Sequence, residues 1–283
     1  MKKDILIIFD VAFPFYKGGA QRRFFEVGRR LAKKGYTVSW LTFKHWDGDD
    51  LKSYEQIDYV SIGKAPKFYN KSGSRSKLEP IIFLLKVLQN IKLIKQHRVI
   101  WIGQWPLIHI IPIVLVAKYF GHRILVDWWE VWGNIWIKYS KSVGWIGFII
   151  ERATLKLIML LGGSLVTDST LEKSRLVAIL GGESKIELIA NGIPKEEIGE
   201  LESKPSYEFD IGNFGRLKNH KRVDLLLHSI AILKNEYRIV AKTAIIGDGP
   251  ENQKLQLLSK SLGISEHVKF FGEIENQSEC YDI

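Results

Sequence analysis

The chain has 283 residues, and its 46% hydrophobic and 25% charged content indicates one large or two ordinary globular domains, which excludes a disordered chain. Its single cysteine, Cys280, excludes an internal disulfide framework and fits a reducing compartment. The net charge of +10 is unevenly distributed along the chain. Residues 1–190 hold 29 Lys and Arg against 16 Asp and Glu, while residues 191–283 hold 12 against 15. We therefore expect the first part to face something anionic.

The first elements are typical of a βαβ unit. Ile5–Phe9 is a short apolar run that predicts a buried parallel strand, a helix is predicted over about 20–34, and Thr37–Phe43 predicts the next strand. Gly18 and Gly19 come directly before the helix, where glycines let the backbone approach a ligand and helix N–H groups face it. A plain tight turn explains the same two glycines.

A basic region follows a strand predicted at 57–62. Residues 64–77 are polar and basic, which indicates a loop, and residues 80–96 predict a helix that is apolar nearly all round except for three lysines. This helix either lies on a membrane or packs in the core with its lysine stems reaching solvent. The apolar stretch 105–120 contains two prolines, a histidine and a lysine and is shorter than the roughly 20 residues of a membrane span, so we expect a buried helix there.

The strand predicted at 123–126 delivers a loop of carboxylates and tryptophans. Ligands bind at the carboxyl ends of strands in an open parallel sheet, so Asp127 and Glu130 are candidates to accept hydroxyl protons. The rings of Trp128, Trp129 and Trp132 are candidates to stack on a sugar face. The same rings could instead wedge the loop against the core.

The rest of the first part alternates helices and strands. A helix over 146–161 carries Glu151, Arg152 and Lys156 on one side, and strands at 164–167 and 185–190 flank a further helix. Residues 194–207 are rich in Glu, Lys, Ser and Pro, which indicates an interdomain linker.

The second part opens on a loop with two well-placed cations. A strand is predicted at 209–214, and a helix is predicted from about residue 221. Arg216 and Lys221 therefore lie beside the free N–H groups of a helix N-terminus, where a guanidinium fork, an ammonium group and the helix dipole suit a phosphate. A solvated basic turn is the alternative. Strands at 239–247 and 268–271 and a helix at 250–262 complete this part.

Several motifs, taken in order, resemble one family. Gly215-Arg216-Leu217 with a lysine five residues after the arginine, followed by Asp224–Leu227, looks like retaining GT-B glycosyltransferases of family 4, also called glycosyl transferases group 1. Residues 245–251, with Gly247 and Gly249, and residues 262–272 resemble its next landmarks. Gly18-Gly19-Ala20 resembles its glycine loop, and Asn191-Gly192-Ile193 resembles its mark before the linker.

The resemblance implies the fold and the site. The fold class would be α/β GT-B, with a Rossmann-like acceptor domain (1–193), a linker (194–207) and a partial Rossmann-like nucleotide-sugar domain (208–283). The residues implied to bind the donor, with the glycine loop reaching it across the interdomain cleft, are Gly18, Gly19, Asn191, Arg216, Lys221, Gly247 and Gly249. Where the family often has a histidine, this chain has Asp127, Trp129 and Glu130, so Asp127 and Glu130 are the catalytic candidates.

The family's acidic motif, a pair of glutamates seven residues apart, has no match before Ile283, so we expect a truncated product. The implied activity is sugar transfer with retention from a UDP- or GDP-linked donor, without a metal ion or other cofactor. The basic first domain suggests a glycan or lipid-linked acceptor, for cell-surface polysaccharide or glycolipid synthesis, at the inner face of an anionic membrane. We expect a cytoplasmic, peripheral protein and no nucleic acid partner, because no nucleic-acid-binding motif is present.

Two other functions remain open from the sequence. One is a sugar-nucleotide epimerase with the same fold, which the Arg216 and Lys221 pattern disfavours. The other is an inactive fragment that only binds nucleotide, which the missing acidic motif favours.

Overall fold

The computed structural model describes residues 3–16, 18–68, 76, 78–139, 142, 144–183, 185–192, 194, 208–274 and 280. The chain divides into two compact units, Met1–Gly192 and Ile193–Ile283. Residues 195–207 of the predicted linker 194–207 and much of the predicted basic loop 64–77 lie outside the described residues.

One sheet organises the first unit. Its eight strands in the described part of the chain are β1 Lys3–Ile8, β2 Val38–Lys44, β3 Leu51–Tyr54, β4 Ile57–Lys64, β5 His97–Gly103, β6 Arg123–Asp127, β7 Ser164–Thr167 and β8 Ile186–Leu188. They lie in the order β3-β4-β2-β1-β5-β6-β7-β8, and the pairing is parallel throughout except between β3 and β4.

Helices cover both faces of this sheet, as a mostly parallel sheet requires. They are α1 Gly19–Lys33, α2 Glu79–Gln89, α3 Ile91–Gln96, α4 Ile110–Tyr119, α5 Ile135–Tyr139, α6 Gly144–Leu160 and α7 Thr170–Leu180, with a short 3₁₀ turn at Leu107–His109. Strand side chains alternate between the two faces. Leu6 and Ile8 enter the core shared with α2, α4 and α6, whereas Ile7 and Phe9 enter the core shared with α1.

The strand order creates a topological switch point at the carboxyl edge of the sheet. The chain moves outward from β1 in one direction through β2 and in the other through β5, so the loops that follow β1 and β5 diverge at the carboxyl edge. Such a switch point is where open α/β sheets bind ligands. The N-terminus of α1 and the loop after β6 lie at this edge because both follow the carboxyl ends of strands.

The second unit has a smaller parallel sheet. In its described part, β9 Ile211–Phe214, β10 Thr243–Ile246 and β11 Val268–Gly272 lie in the order β11-β10-β9. Helices α8 Val223–Tyr237 and α9 Asn252–Ser261 pack on it. The α/β fold expected from the sequence is confirmed in both units.

Several local predictions were wrong. The helix predicted over 80–96 is interrupted at Asn90, whose side-chain amide donates to the Lys86 carbonyl at 2.9 Å, and α2 and α3 result. Strand β3 was not predicted. Helix α8 was predicted from about residue 221 but begins at Val223, because a 3₁₀ turn, Asn219–Lys221, comes first.

The apolar stretch 105–120 forms the 3₁₀ turn Leu107–His109 and helix α4. No helix in the described residues is long and apolar enough to cross a bilayer.

Phe24 of α1 provides a test of the first core. Its fully buried ring contacts the rings of Phe9, Trp40, Trp101 and Trp129 at centroid distances of 4.7 to 5.7 Å. Phe24→Ala should lower the free energy of unfolding of the first unit by about 3–5 kcal/mol, because it removes this ring and leaves a cavity. Urea titration followed by tryptophan fluorescence measures it, since all nine tryptophans precede residue 146 and report on the first unit.

Tyr36→Ala is the control, because Tyr36 is 50% exposed in the same unit and should cost less than about 1 kcal/mol. Equal losses for the two variants would contradict the packing described.

Candidate active site

The loop that follows β6, Trp128–Gly133, is fixed by hydrogen bonds between its backbone groups and side chains of other elements. The Gln104 side chain, fully buried after β5, accepts hydrogen bonds from the N–H groups of Trp129 (2.9 Å) and Glu130 (3.0 Å). Its amide group donates to the Glu130 carbonyl at 2.6 Å. One glutamine thus fixes both polar backbone groups of Glu130.

Two buried glutamates continue this attachment. Glu172 of α7 accepts from the N–H of Val131 at 2.7 Å, and Glu151 of α6 accepts from Trp132 at 2.9 Å and from Gly133 at 2.7 Å. Burial raises the pKa of Glu151, and the two backbone donors oppose the rise. Five consecutive backbone N–H groups therefore have side-chain acceptors on three separate elements, which fixes the loop in one conformation.

Glu151 is 1% exposed, while Arg152 and Lys156 on the same helix are exposed. The sequence-based placement of all three on one side of the helix was wrong. The loop N–H groups explain why a carboxylate is tolerated among apolar neighbours, since buried charges in proteins are stable only when hydrogen-bonded.

A buried ion pair lies at the start of this loop. The Arg23 guanidinium of α1 donates from Nε to Asp127 Oδ2 at 3.1 Å and from Nη1 to Asn191 Oδ1 at 2.9 Å. The Asn191 amide in turn donates to Asp168 Oδ2 at 2.9 Å. Burial raises the pKa of Asp127 to about 6, and the Arg23 charge limits the rise. This network links β6, α1 and the end of β8 within the first unit.

The tryptophans of the loop have different environments. Trp128 is fully buried in the core, and Trp129 packs edge-on against Phe9 at 5.6 Å. Trp132 is half-buried, lies 4.7 Å from the Trp136 ring, and donates from its indole to Glu130 Oε2 at 2.8 Å. Glu130 itself is exposed. Glu130 and Trp132 therefore form one unit at the surface, while Asp127 and Trp128 are enclosed.

The predicted glycine turn lies at the N-terminus of α1. Gly18 and Gly19 are exposed, Gly18 is extended, and helix α1 begins at Gly19. A Cβ on Gly18 would overlap the Gln21 side chain, whereas one on Gly19 would meet nothing within 4 Å. The first turn of α1 carries no acidic side chain, so its N–H groups present partial positive charge at the surface.

In the second unit two glycine-containing loops lie against each other. The Leu217 N–H donates to the Asp248 carbonyl at 2.9 Å, and the Gly215 N–H donates to the Ile246 carbonyl at 3.0 Å. A Cβ on Gly247 would overlap the Gly215 carbonyl, and a Cβ on Gly249 would overlap the Leu217 carbonyl. Glycine is required at both positions because the loops after β9 and β10 approach so closely.

Arg216 and Lys221 both lie on the first of these loops and are exposed. Within the part of the chain that the structure describes, neither has an ion-pair partner, whereas the neighbouring Arg222 forms a two-pronged pair with Asp224 at 2.9 to 3.3 Å. The structure thus leaves Arg216 and Lys221 available to an anionic ligand, and Arg222 already has its partner.

Residues 194–283 match the family described as glycosyl transferases group 1. A curated relative is the GDP-mannose-dependent alpha-(1-6)-phosphatidylinositol monomannoside mannosyltransferase of Mycolicibacterium smegmatis, 24% identical over 243 residues. The match covers 79% of this chain, and the chain spans 60% of the relative's length.

Solved structures are similar over nearly the whole chain. WaaG, a glycosyltransferase involved in lipopolysaccharide biosynthesis, has a TM-score of 0.66 at 18% identity, covering 97% of this chain and 71% of its own. HepE of Anabaena, in complex with UDP, has a TM-score of 0.59 at 14% identity, covering 98% and 71%. At these identities the likeness establishes the fold, and the expected GT-B fold class is confirmed.

The structure brings some of the predicted site residues together. Asp127 and Asn191 meet through Arg23, Glu130 meets Trp132, and Gly247 and Gly249 lie against the loop that carries Arg216. Sequence reasoning missed the residues that hold the site, Arg23, Gln104, Glu151 and Glu172. A lone acidic residue inside an apolar helix, such as Glu151, was the one available signal.

The raised pKa of Asp127 predicts how stability depends on pH. Because its folded pKa of about 6 lies above the unfolded value of 3.8, folding takes up a proton between these values. The wild type should therefore gain up to roughly 3 kcal/mol in free energy of unfolding, relative to Asp127→Asn, as the pH falls from 7 to 4. Urea titrations followed by tryptophan fluorescence at several pH values measure the difference.

Leu160→Ala is the control, since Leu160 is 81% exposed in the same unit and the substitution changes no ionisable group, so its difference from wild type should not change with pH. A difference between wild type and Asp127→Asn that stays constant from pH 4 to 7 would contradict the prediction.

Proposed function

We propose that the protein is a glycosyltransferase that transfers a sugar, with retention of configuration, from a nucleotide-sugar to a glycan or a lipid-linked acceptor in cell-surface polysaccharide or glycolipid synthesis. The observation that carries the proposal is the match of residues 194–283 to the glycosyl transferases group 1 family, together with the loop after β9, on which Arg216 and Lys221 have no ion-pair partner among the described residues.

The donor's diphosphate is the proposed ligand of these loops. Arg216 supplies a planar fork of donors and Lys221 a compact charge, and charge-assisted hydrogen bonds of this kind are among the strongest in proteins. When the bond to the sugar breaks, negative charge grows on the departing phosphate, and fixed cations stabilise it without a metal ion. Gly247 and Gly249 keep the neighbouring loop close, because no side chain intervenes.

The nucleotide is proposed to be uridine or guanosine diphosphate. HepE was solved with UDP, and the mycobacterial relative is GDP-mannose-dependent. In the first unit, Gly18, Gly19 and Asn191 are proposed to contact the donor, the glycines through N–H groups at the start of α1. No resident cofactor is part of the proposal.

The acceptor is proposed to bind at the loop after β6. Glu130 is the proposed catalytic carboxylate, because it is exposed and oriented by the Trp132 indole and by Gln104. Trp132, with a partly exposed ring, is the proposed sugar-stacking residue, assisted by Trp129. Asp127 is proposed to act through Arg23 by holding the start of the loop.

A lipid-linked acceptor would place the reaction at a membrane surface. The relative from Mycolicibacterium acts on a phosphatidylinositol mannoside, and the first unit of this chain is strongly basic. We therefore propose a peripheral enzyme at the inner face of a membrane that contains anionic lipid.

Donor binding tests the proposal. Arg216→Ala and Lys221→Ala should each weaken the binding of UDP or GDP by about 10–100-fold, because each removes a charge-assisted hydrogen bond worth roughly 1.5–3 kcal/mol. Isothermal titration with UDP and GDP measures the effect. Arg222→Ala is the matched control: the same charge is removed from the same loop, but Arg222 is paired with Asp224, so affinity should change less than about threefold.

Affinities that fall equally in all three variants would indicate attraction by general charge and would contradict the assigned roles. Wild type that binds neither nucleotide would contradict the proposed function itself. Conversion of a UDP- or GDP-sugar to its epimer without acceptor would support the epimerase instead.

A substitution of Glu130 should change the rate of sugar transfer without changing donor binding. In an assay where wild type transfers sugar, Glu130→Gln should lower kcat by at least about 100-fold, because a carboxylate is lost and the side-chain shape is kept, while the UDP or GDP affinity stays unchanged. The matched control is Glu187→Gln, an exposed glutamate on β8. Proton NMR of the product reports the anomeric configuration, and an inverted product would contradict retention.

A further inference from the structure

Helix α2 has two apolar faces, and only one of them is buried. Phe83 and Val87 are fully buried in the core, whereas Ile81 and Leu85 are 48% and 55% exposed, one turn apart. Leu78, directly before the helix, is 67% exposed in the same stripe. The core interpretation left open by the sequence therefore holds for one face of the helix, and the opposite face is apolar and exposed.

Helices α5 and α6 expose a second apolar stripe. Ile137 on α5 is 42% exposed, and Trp145 and Ile149, one turn apart on α6, are each 54% exposed. The two helices pack closely because Gly147 leaves room for the Trp136 ring, where a Cβ would overlap it. Trp145 and Ile149 lie on the face of α6 opposite to Gly147, near the N-terminal end of that helix.

The helices that carry the two stripes both pack against the segment around the 3₁₀ turn Leu107–His109. Phe83 of α2 contacts His109 of the 3₁₀ turn at 5.2 Å between ring centroids, and Trp105, just before that turn, contacts Trp136 of α5 at 5.9 Å. Helices that follow parallel strands begin at the carboxyl edge of the sheet, which is also the edge that carries the Glu130 loop.

All exposed charges on helices α2 to α6 have one sign. Both acidic residues of these helices, Glu79 and Glu151, are buried at 0% and 1% exposure. Among the side chains that the structure describes, the exposed charged ones on α2 to α6 are Lys86, Lys92, Lys95, Lys118, Lys138, Arg152 and Lys156. A second copy of this face would bring like charges together, which is unfavourable.

We propose that this surface, the exposed stripe of α2 together with the stripe of α5 and α6, docks on a bilayer that contains anionic lipid. Exposed aliphatic side chains and a tryptophan, accompanied only by basic side chains, are what an interfacial membrane surface requires. The apolar side chains enter the headgroup boundary, and the lysines contact lipid phosphates. The proposal rests on the peripheral location proposed above and assigns a surface to it; docking needs neither donor nor acceptor, so vesicle binding can fail while nucleotide binding to the second unit stands.

Flotation with vesicles tests the proposal, with binding to phosphatidylcholine vesicles compared with binding to vesicles that contain phosphatidylglycerol. Wild type should bind the anionic vesicles, and Leu85→Asp and Ile149→Asp should each lower the partition coefficient by at least about tenfold, because each replaces an inserted side chain by a charge. Lys86→Glu and Lys138→Glu should each lower it roughly tenfold on anionic vesicles and little on neutral ones.

Leu160→Asp is the control, since Leu160 is 81% exposed at the other end of α6, and it should bind like wild type. Circular dichroism checks that each variant is folded. Wild type that does not bind anionic vesicles would overturn the proposal, as would Leu85→Asp and Ile149→Asp variants that bind like wild type. A wild-type dimer that Leu85→Asp converts to monomer would overturn it as well, by showing that a second copy covers the face.

Discussion

Backbone N–H groups that leave regular secondary structure inside a protein must find acceptors, and the loop after β6 meets this constraint with side chains. Gln104, Glu151 and Glu172 accept from five consecutive N–H groups between Trp129 and Gly133. The acceptors come from the end of β5 and from two helices, so the loop conformation depends on the packing of the whole carboxyl edge. Glu130 and Trp132 are placed by this framework rather than by the loop's own preferences.

The framework also explains a division of roles between two carboxylates three residues apart. Asp127 is enclosed and paired with Arg23, and its pKa is raised by burial. Glu130 reaches the surface and is oriented by an indole N–H. Two carboxylates at one strand end thus have different environments. The sequence pattern pointed to both Asp127 and Glu130 but could not distinguish them, because elements distant in sequence decide which one is buried.

Hydrophobic periodicity predicted the strands of the central sheet and the helices between them, since buried parallel strands are short apolar runs. It missed β3, because the β3–β4 hairpin turns through Glu55 and Gln56 with φ of 49° and 64°, where a glycine or asparagine would have been the usual signal. It also missed the break at Asn90. For the site, strand ends located the residues that bear chemistry, whereas the acceptors that hold them are separated from the loop by 18 to 41 positions and could not be assigned from spacing.

The side-chain acceptors have a further consequence for hydrogen exchange. Loop amides usually exchange quickly with solvent because they open without disturbing the rest of a domain. The amides of residues 129–133 open only when their bonds to Gln104, Glu151 and Glu172 break, and these acceptor side chains are themselves buried beside β5 and on α6 and α7. This irregular segment should therefore exchange as slowly as the central strands, and deuterium uptake should identify it as part of the most cooperative unit of the domain.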